Sequence, residues 1–248
     1  MEKLINYVAA TILVTSFHCK ASAEDLPSPE SLFERHVQVS YGENGLEKYP
    51  TMTLTTNMLM KEYGVSVPSI AKHKSPGYRF SEGEAMGIRS AGGCNLTFCW
   101  EEGMRGFEVI NGNELKRWLE QADYHRWENM DKYAKSMETV ELTDRDGEIT
   151  YKVKVVDNFD QENFYFFSKE RGHLLATDLM VADLDSFNFR STDYSDFKQF
   201  GPFTLPATAT EIQPQITRIT TIESVTFEEI PDSVFEIPDA VKLLISKQ

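Results

Sequence analysis

Ile230-Pro231-Asp232-Ser233-Val234-Phe235-Glu236-Ile237-Pro238 decides how the chain is read. With Phe235 and Ile237 as anchors, it is expected to dock the chain's end against the last strand. Just before it, Gln215-Ile216-Thr217-Arg218-Ile219-Thr220-Thr221-Ile222-Glu223-Ser224-Val225-Thr226-Phe227 is a β-branched run of strand type. Upstream again, Asp196-Phe197-Lys198-Gln199-Phe200-Gly201-Pro202-Phe203-Thr204-Leu205-Pro206 places a Gly-Pro break before a further strand.

Working outward, the same period of two recurs. From Thr51, Met52, Leu54, Thr56, Met58 and Met60 point one way, and Thr53, Thr55, Asn57 and Leu59 the other. Val65 to Ala71 continues beyond a Tyr63-Gly64 turn, and Lys74-Ser75-Pro76-Gly77 marks another turn. Tyr78–Phe80, Ala85–Arg89 and Asn95–Glu101 read as short strands. After residue 136 the expected strands are Met137–Leu142, Ile149–Val156, Phe164–Phe167, Leu174–Leu184 and Phe187–Asp193, with hairpin turns at Asp146-Gly147 and Arg171-Gly172. Two helical patterns interrupt this meander. Ser28 and Pro29 can open the first, with Leu32, Phe33, His36 and Val37 on one face and a stop near Gly42; a short turn through Leu46 and Tyr49 follows. In the second, Leu115, Trp118, Leu119 and Ala122 share a face at i, i+3, i+4 and i+7, and Trp127, Met130 and Tyr133 suggest a further turn.

The order and spacing of these pieces resemble the outer-membrane lipoprotein-sorting (LolA/LolB-like) superfamily. The closing "DSxFxxP" segment after a Gly…Leu-Pro strand carries the resemblance. So do Gly112-Asn113-Glu114-Leu115…Ala122-Asp123, Thr150 to Val155, and the hairpin Phe164 to Leu175, where Ser168 and Arg171 depart from the pattern. The resemblance implies a mainly β (α+β) fold. It would be a curved antiparallel incomplete β-barrel of about eleven strands, with helices covering the open concave face. It also implies a non-catalytic periplasmic protein that binds lipid or acyl chains of lipoproteins and similar amphiphiles.

Residues 1–23 are expected to be a cleaved secretory leader: Glu2-Lys3, a mostly apolar stretch from Leu4 to Phe17, then Ala21-Ser22-Ala23. A membrane anchor is the alternative, but the apolar run falls short of the roughly 20 residues a spanning helix needs. Residues 24–248 are read as a single half-barrel domain. The chain carries a net charge of −14, or −15 once the leader's two Lys and one Glu are removed. Phosphate backbones demand clustered Lys and Arg, so nucleic acid is excluded as a partner.

Cys94 and Cys99 remain after cleavage. On one extended strand they would lie about 16 Å apart, beyond the roughly 7 Å a disulfide tolerates. A bond requires the chain to fold back between them; two buried thiols on a strand are the alternative.

No catalytic arrangement stands out. The mature chain's four histidines are scattered, with no His-Glu-x-x-His, Gly-x-Ser-x-Gly or phosphate loop. No cofactor or metal is implied, and Asp178, Asp183, Asp185, Asp193 and Asp196 read as solvent faces of strands and a turn. A trough that accepts varied tails suits flexible Met side chains. The expected ligand-binding residues are therefore Met52, Leu54, Met58, Met60, Met86, Trp100 and Met180 on the sheet, with Leu115, Trp118 and Leu119 as a lid. The expected partner is a lipid or lipoprotein acyl chain, with a membrane donor or acceptor protein for handover. An envelope sensor or protein-interaction module on the same scaffold is the rival reading.

Overall fold

The structure is a computed structural model and describes residues 26–183 and 186–246. The expected leader, 1–23, lies outside these residues. Ser28 caps the first helix, α1 (Pro29–Tyr41), by accepting the Ser31 N–H at 3.2 Å. Gly42, at φ +73°, ends it with an N–H donated to the Gln38 carbonyl. A single turn, α2 (Gly45–Lys48), leads into the sheet.

Thirteen strands follow. Six precede the helical insertion: β1 (Thr51–Met60), β2 (Val65–Lys74), β3 (Tyr78–Ala85), β4 (Ile88–Cys94), β5 (Cys99–Gly103) and β6 (Gly106–Ile110). The insertion holds α3 (Gly112–Ala122) and α4 (Met130–Tyr133). Then come β7 (Ala134–Arg145), β8 (Glu148–Asp157), β9 (Glu162–Ser168), β10 (Leu174–Asp183), β11 (Ser186–Phe200), β12 (Phe203–Gln213) and β13 (Ile216–Thr226). A 3-10 turn (Asp232–Phe235) and α5 (Asp239–Ile245) end the described chain.

All thirteen strands form one antiparallel sheet in the order β6-β5-β4-β3-β2-β1-β13-β12-β11-β10-β9-β8-β7. The sheet is open, because β6 and β7 are its two edges. The chain's first and last strands pair at its centre, Leu54 opposite Val225 and Met58 opposite Thr220. Its free edges therefore come from mid-chain, and residues 111–133 must run from one edge to the other. Topology alone stretches α3 and α4 across the mouth of the half-barrel.

The sheet has more strands than the eleven or so that the resemblance implied. Asn95 to Glu101, with Phe98 and Trp100, reads as one strand in the sequence. Instead the Asn95 side chain accepts the N–H groups of Thr97 and Phe98, folding 95–98 into a hairpin turn. Cys94 ends β4, Cys99 opens β5, and the two are directly paired. They form a disulfide across a Cα–Cα distance of 4.2 Å. The strand β6 and the helix α5 had no reading in the sequence.

The disulfide lies in a core cluster with Ile110, Ala122, Leu115, Trp118 and Leu119, so it sits under the docked α3. Chain entropy for so short a loop gives about 2 kcal/mol. Reductant, or the double substitution Cys94→Ser/Cys99→Ser, is expected to lower Tm by about 4–8 °C and to speed amide exchange in α3. A melt indifferent to reductant would refute this.

Two faces divide the packing. On the concave face, Leu32 and Phe33 of α1 and Met130 of α4 meet Val153, Val155, Tyr165, Phe167 and Leu174. A second cluster there joins Leu46, Tyr124, Phe203 and Leu205. On the convex face, the C-terminal segment covers Phe80, Trp100, Phe107 and Val109 with Ile237 and Val241. Phe235, buried as expected, lies 5.6 Å from the Tyr78 ring. The closing segment thus docks on the outer face of β3–β6 and not against the last strand.

Candidate functional site

The lid helix α3 has two working faces. Its apolar face, read correctly from spacing, sits on the Cys94–Cys99 end of the sheet. Trp118 reaches over Gly92, where a Cβ would stand 3.4 Å from the indole ring. On the other side of the sheet, a Cβ at Gly93 would meet the Trp100 ring nitrogen at 2.9 Å. Two tryptophans therefore flank the Gly92-Gly93 pair from opposite faces; a side chain at Gly93 would have to displace Trp100, whereas one at Gly92 would lie in contact with Trp118.

The polar face of α3 holds the opposite wall. The Arg117 guanidinium donates to the Gln161 side chain at 2.7 Å and lies 4.2 Å over the Phe159 ring, both in the β8–β9 hairpin. The helix is thus fastened to β4–β5 by packing and to β8–β9 by this stacked, hydrogen-bonded arginine.

Beneath the bridge lies a cavity of about 380 Å³, within the range of small-ligand sites. Its apolar lining comes from Trp118, Met130, Val155, Tyr165 and Leu179. Its polar lining is more extensive than the sequence suggested. Glu114, Arg117 and Gln121 of α3 face it, with Arg126, Asp157 and Arg190. Arg126 pairs with Glu120 at 3.1 Å, and burial raises the Glu120 carboxyl above its ordinary range. Arg190 and Arg218 share the Glu211 carboxylate at 3.5 and 2.5 Å. Among the described residues the Arg126 Nε–H is buried without a hydrogen-bond partner, and the Arg190 Nε–H has only its loose 3.5 Å ion-pair contact with Glu211. Such donors carry a desolvation cost that a bound acceptor or water would remove. The signal was present in α3: Glu114, Arg117 and Gln121 recur at i, i+3 and i+7, a stripe that reads as solvent-facing until the helix is known to cover a cavity.

The expected site residues fall into three groups. Leu115, Trp118 and Leu119 lie together in the lid, and Trp118 also lines the cavity. Met52, Leu54, Met58 and Met60 share the concave face of β1 by register and are all half-buried, so this stretch of the trough is not closed core. Met52 packs beside Phe203 and Tyr124. Of the remaining three, Met86 and Trp100 lie away from the concave trough. Met86 sits in the β3–β4 turn at φ +55° and is 85 % exposed, far from any trough. Trp100 is buried on the convex face, because its neighbour Cys99 takes the concave side. Met180 pairs with Phe189 and borders both the cavity and a convex groove beside Phe164. The acidic run is only partly a solvent face: Arg145 grips Asp178 at 3.2 Å and Asp193 at 2.8 Å, with its guanidinium over the Phe166 ring. No group of three or more His, Cys, Asp or Glu positioned for a metal occurs among the described residues.

No family model and no curated sequence matches the chain. Solved structures do match it. A LolA superfamily protein from Nitrosomonas europaea superimposes with a TM-score of 0.58 at 8 % identity, covering 86 % of this chain and 99 % of that one. A DUF1329 family protein from Desulfovibrio piger gives 0.57 at 11 %, covering 85 % and 98 %. A putative outer membrane lipoprotein-sorting protein domain from Vibrio parahaemolyticus gives 0.57 at 8 %, covering 84 % and 95 %. At these identities the likeness is one of fold: this chain has the open, mainly β, LolA-type fold.

Proposed function

We propose that this protein is a non-catalytic binder of lipid or other amphiphiles in the cell envelope, holding its ligand between the concave sheet and α3. The carrying observation is the bridge itself: residues 111–133 join both sheet edges and leave a cavity of about 380 Å³ beneath. The half-buried Met52, Leu54, Met58 and Met60 extend an apolar track along β1. The Vibrio parahaemolyticus domain of the same fold is described as lipoprotein-sorting, and the expected leader agrees with a periplasmic site of action.

The energy scale suits a carrier. Burying about eight methylenes gains roughly 6 kcal/mol before the costs of association. A bilayer offers as much per methylene, so loading needs a donor and unloading a better acceptor. Gently isolated protein is expected to carry lipid detectable by native mass spectrometry and to take up hexadecanol and palmitate in vitro. Trp118→Ala, which frees the lid from Gly92, is expected to weaken uptake at least several-fold. Protein that carries no lipid and takes up neither probe would overturn the reading.

A further inference from the structure

Every arginine described above has a carboxylate or a side-chain carbonyl to donate to. Arg79 has neither. It lies on β3, with His73 of β2 as its partner on one side and Cys94 of β4 on the other. Paired residues share a face, and Cys94 packs beneath α3, so Arg79 and His73 face the concave side. Tyr78 and Phe80 point the opposite way, beneath the C-terminal segment. His73 in turn pairs with Met52, the first residue of the apolar track.

Neither side chain makes a hydrogen bond or an ion pair among the described residues. Arg79 is desolvated, which lowers its pKa, and no carboxylate acts on it. Burial, and then the Arg79 charge beside it, hold His73 neutral with a pKa of about 3. Arg79 and His73 are half-buried; a partly desolvated cation gains from an anionic partner, and an arginine fork suits a carboxylate or phosphate oxygen pair.

Resting on the amphiphile-binding reading, we propose that Arg79, with His73 beside it, is the anchor for an anionic headgroup, carboxylate or phosphate, whose tail lies along Met52, Leu54, Met58 and Met60. The ligand class is thus an acidic single-chain amphiphile, such as a fatty acid or a long-chain phosphate monoester. The protein's net charge of −14 opposes anions in general, so selectivity must come from a local unpaired cation. The neutral imidazole adds an N–H donor without adding charge.

The test uses mature full-length protein, delipidated, with palmitate, hexadecyl phosphate and the uncharged hexadecanol as probes of equal chain length. Wild type is expected to bind at least one acid about tenfold more tightly than hexadecanol; which of the two is tighter distinguishes carboxylate from phosphate. Arg79→Met is expected to erase that preference and leave hexadecanol affinity within twofold, whereas Arg79→Lys retains part of it. Equal binding of all three probes by wild type, or an undiminished preference in Arg79→Met, would overturn the anchor while leaving amphiphile binding intact. Failure of wild type to bind any probe would overturn both.

Discussion

Phe167→Ala is expected to destabilise the fold by about 3–5 kcal/mol, the range for truncating a fully buried phenylalanine. Phe167 has no exposed surface. It lies where the sheet meets α1, edge-on to Phe33 at 4.9 Å, within the cluster holding Val153, Val155, Tyr165 and Leu174. Removing its ring leaves a void that a rigid sheet cannot collapse to fill, and takes away the surface on which α1 rests. At about 2–4 °C per kcal/mol for a chain of this size, Tm should fall by about 6–20 °C. Phe167→Leu, which keeps most of the volume, should recover most of the loss. A drop under about 1 kcal/mol in Phe167→Ala by urea unfolding would show that α1 is not packed on the sheet as described.

Acid should weaken the protein through His36. This side chain is buried in the same layer, and its Nδ1 accepts the Leu174 backbone N–H at 3.1 Å. An acceptor nitrogen carries no proton, so the geometry itself demands the neutral ring. Burial, and then the nearby His173, lower the His36 pKa from 6.5 to about 3. Below pH 6.5 the unfolded chain takes up a proton that the folded one refuses, so the stabilisation is complete above pH 6.5 and drains away as pH falls towards 3. Between pH 7.5 and pH 5 the loss from this group is about 2 kcal/mol, at 1.36 kcal/mol per pH unit. His36→Asn, which retains a side-chain acceptor but does not titrate, should lose about 2 kcal/mol less than wild type over that interval. Identical pH dependence in the two proteins would remove His36 as the source.

Local patterns were readable because they rest on neighbours only a few residues apart. The Ser28-Pro29 start and Gly42 stop of α1, the alternation along β1 and the apolar face of α3 all depend on contacts within about one turn or one pleat. The fold class was legible for the same reason, since the succession of strands with one helical interruption allows few arrangements. The cavity's chemistry was not legible. Trp100 and Trp118 look alike in sequence, yet one lies outside the sheet and the other inside, because the Asn95 turn sets the phase of β5. Arg145 shows the same limit, since nothing near it in sequence announces Asp178 and Asp193 as its partners.

The sequence by itself therefore determined most of the elements, though not β6 or α5, together with the alternation of their faces and the sheet-with-insertion architecture. Only the tertiary structure decided what the insertion does. β1 must pair with β13 before the free edges become β6 and β7, and that pairing joins residues some 170 positions apart, Thr53 opposite Thr226. Once it forms, α3 has no route except across the mouth. Its charged stripe then turns inward over a cavity, and Arg79 faces that trough with no partner among the described residues.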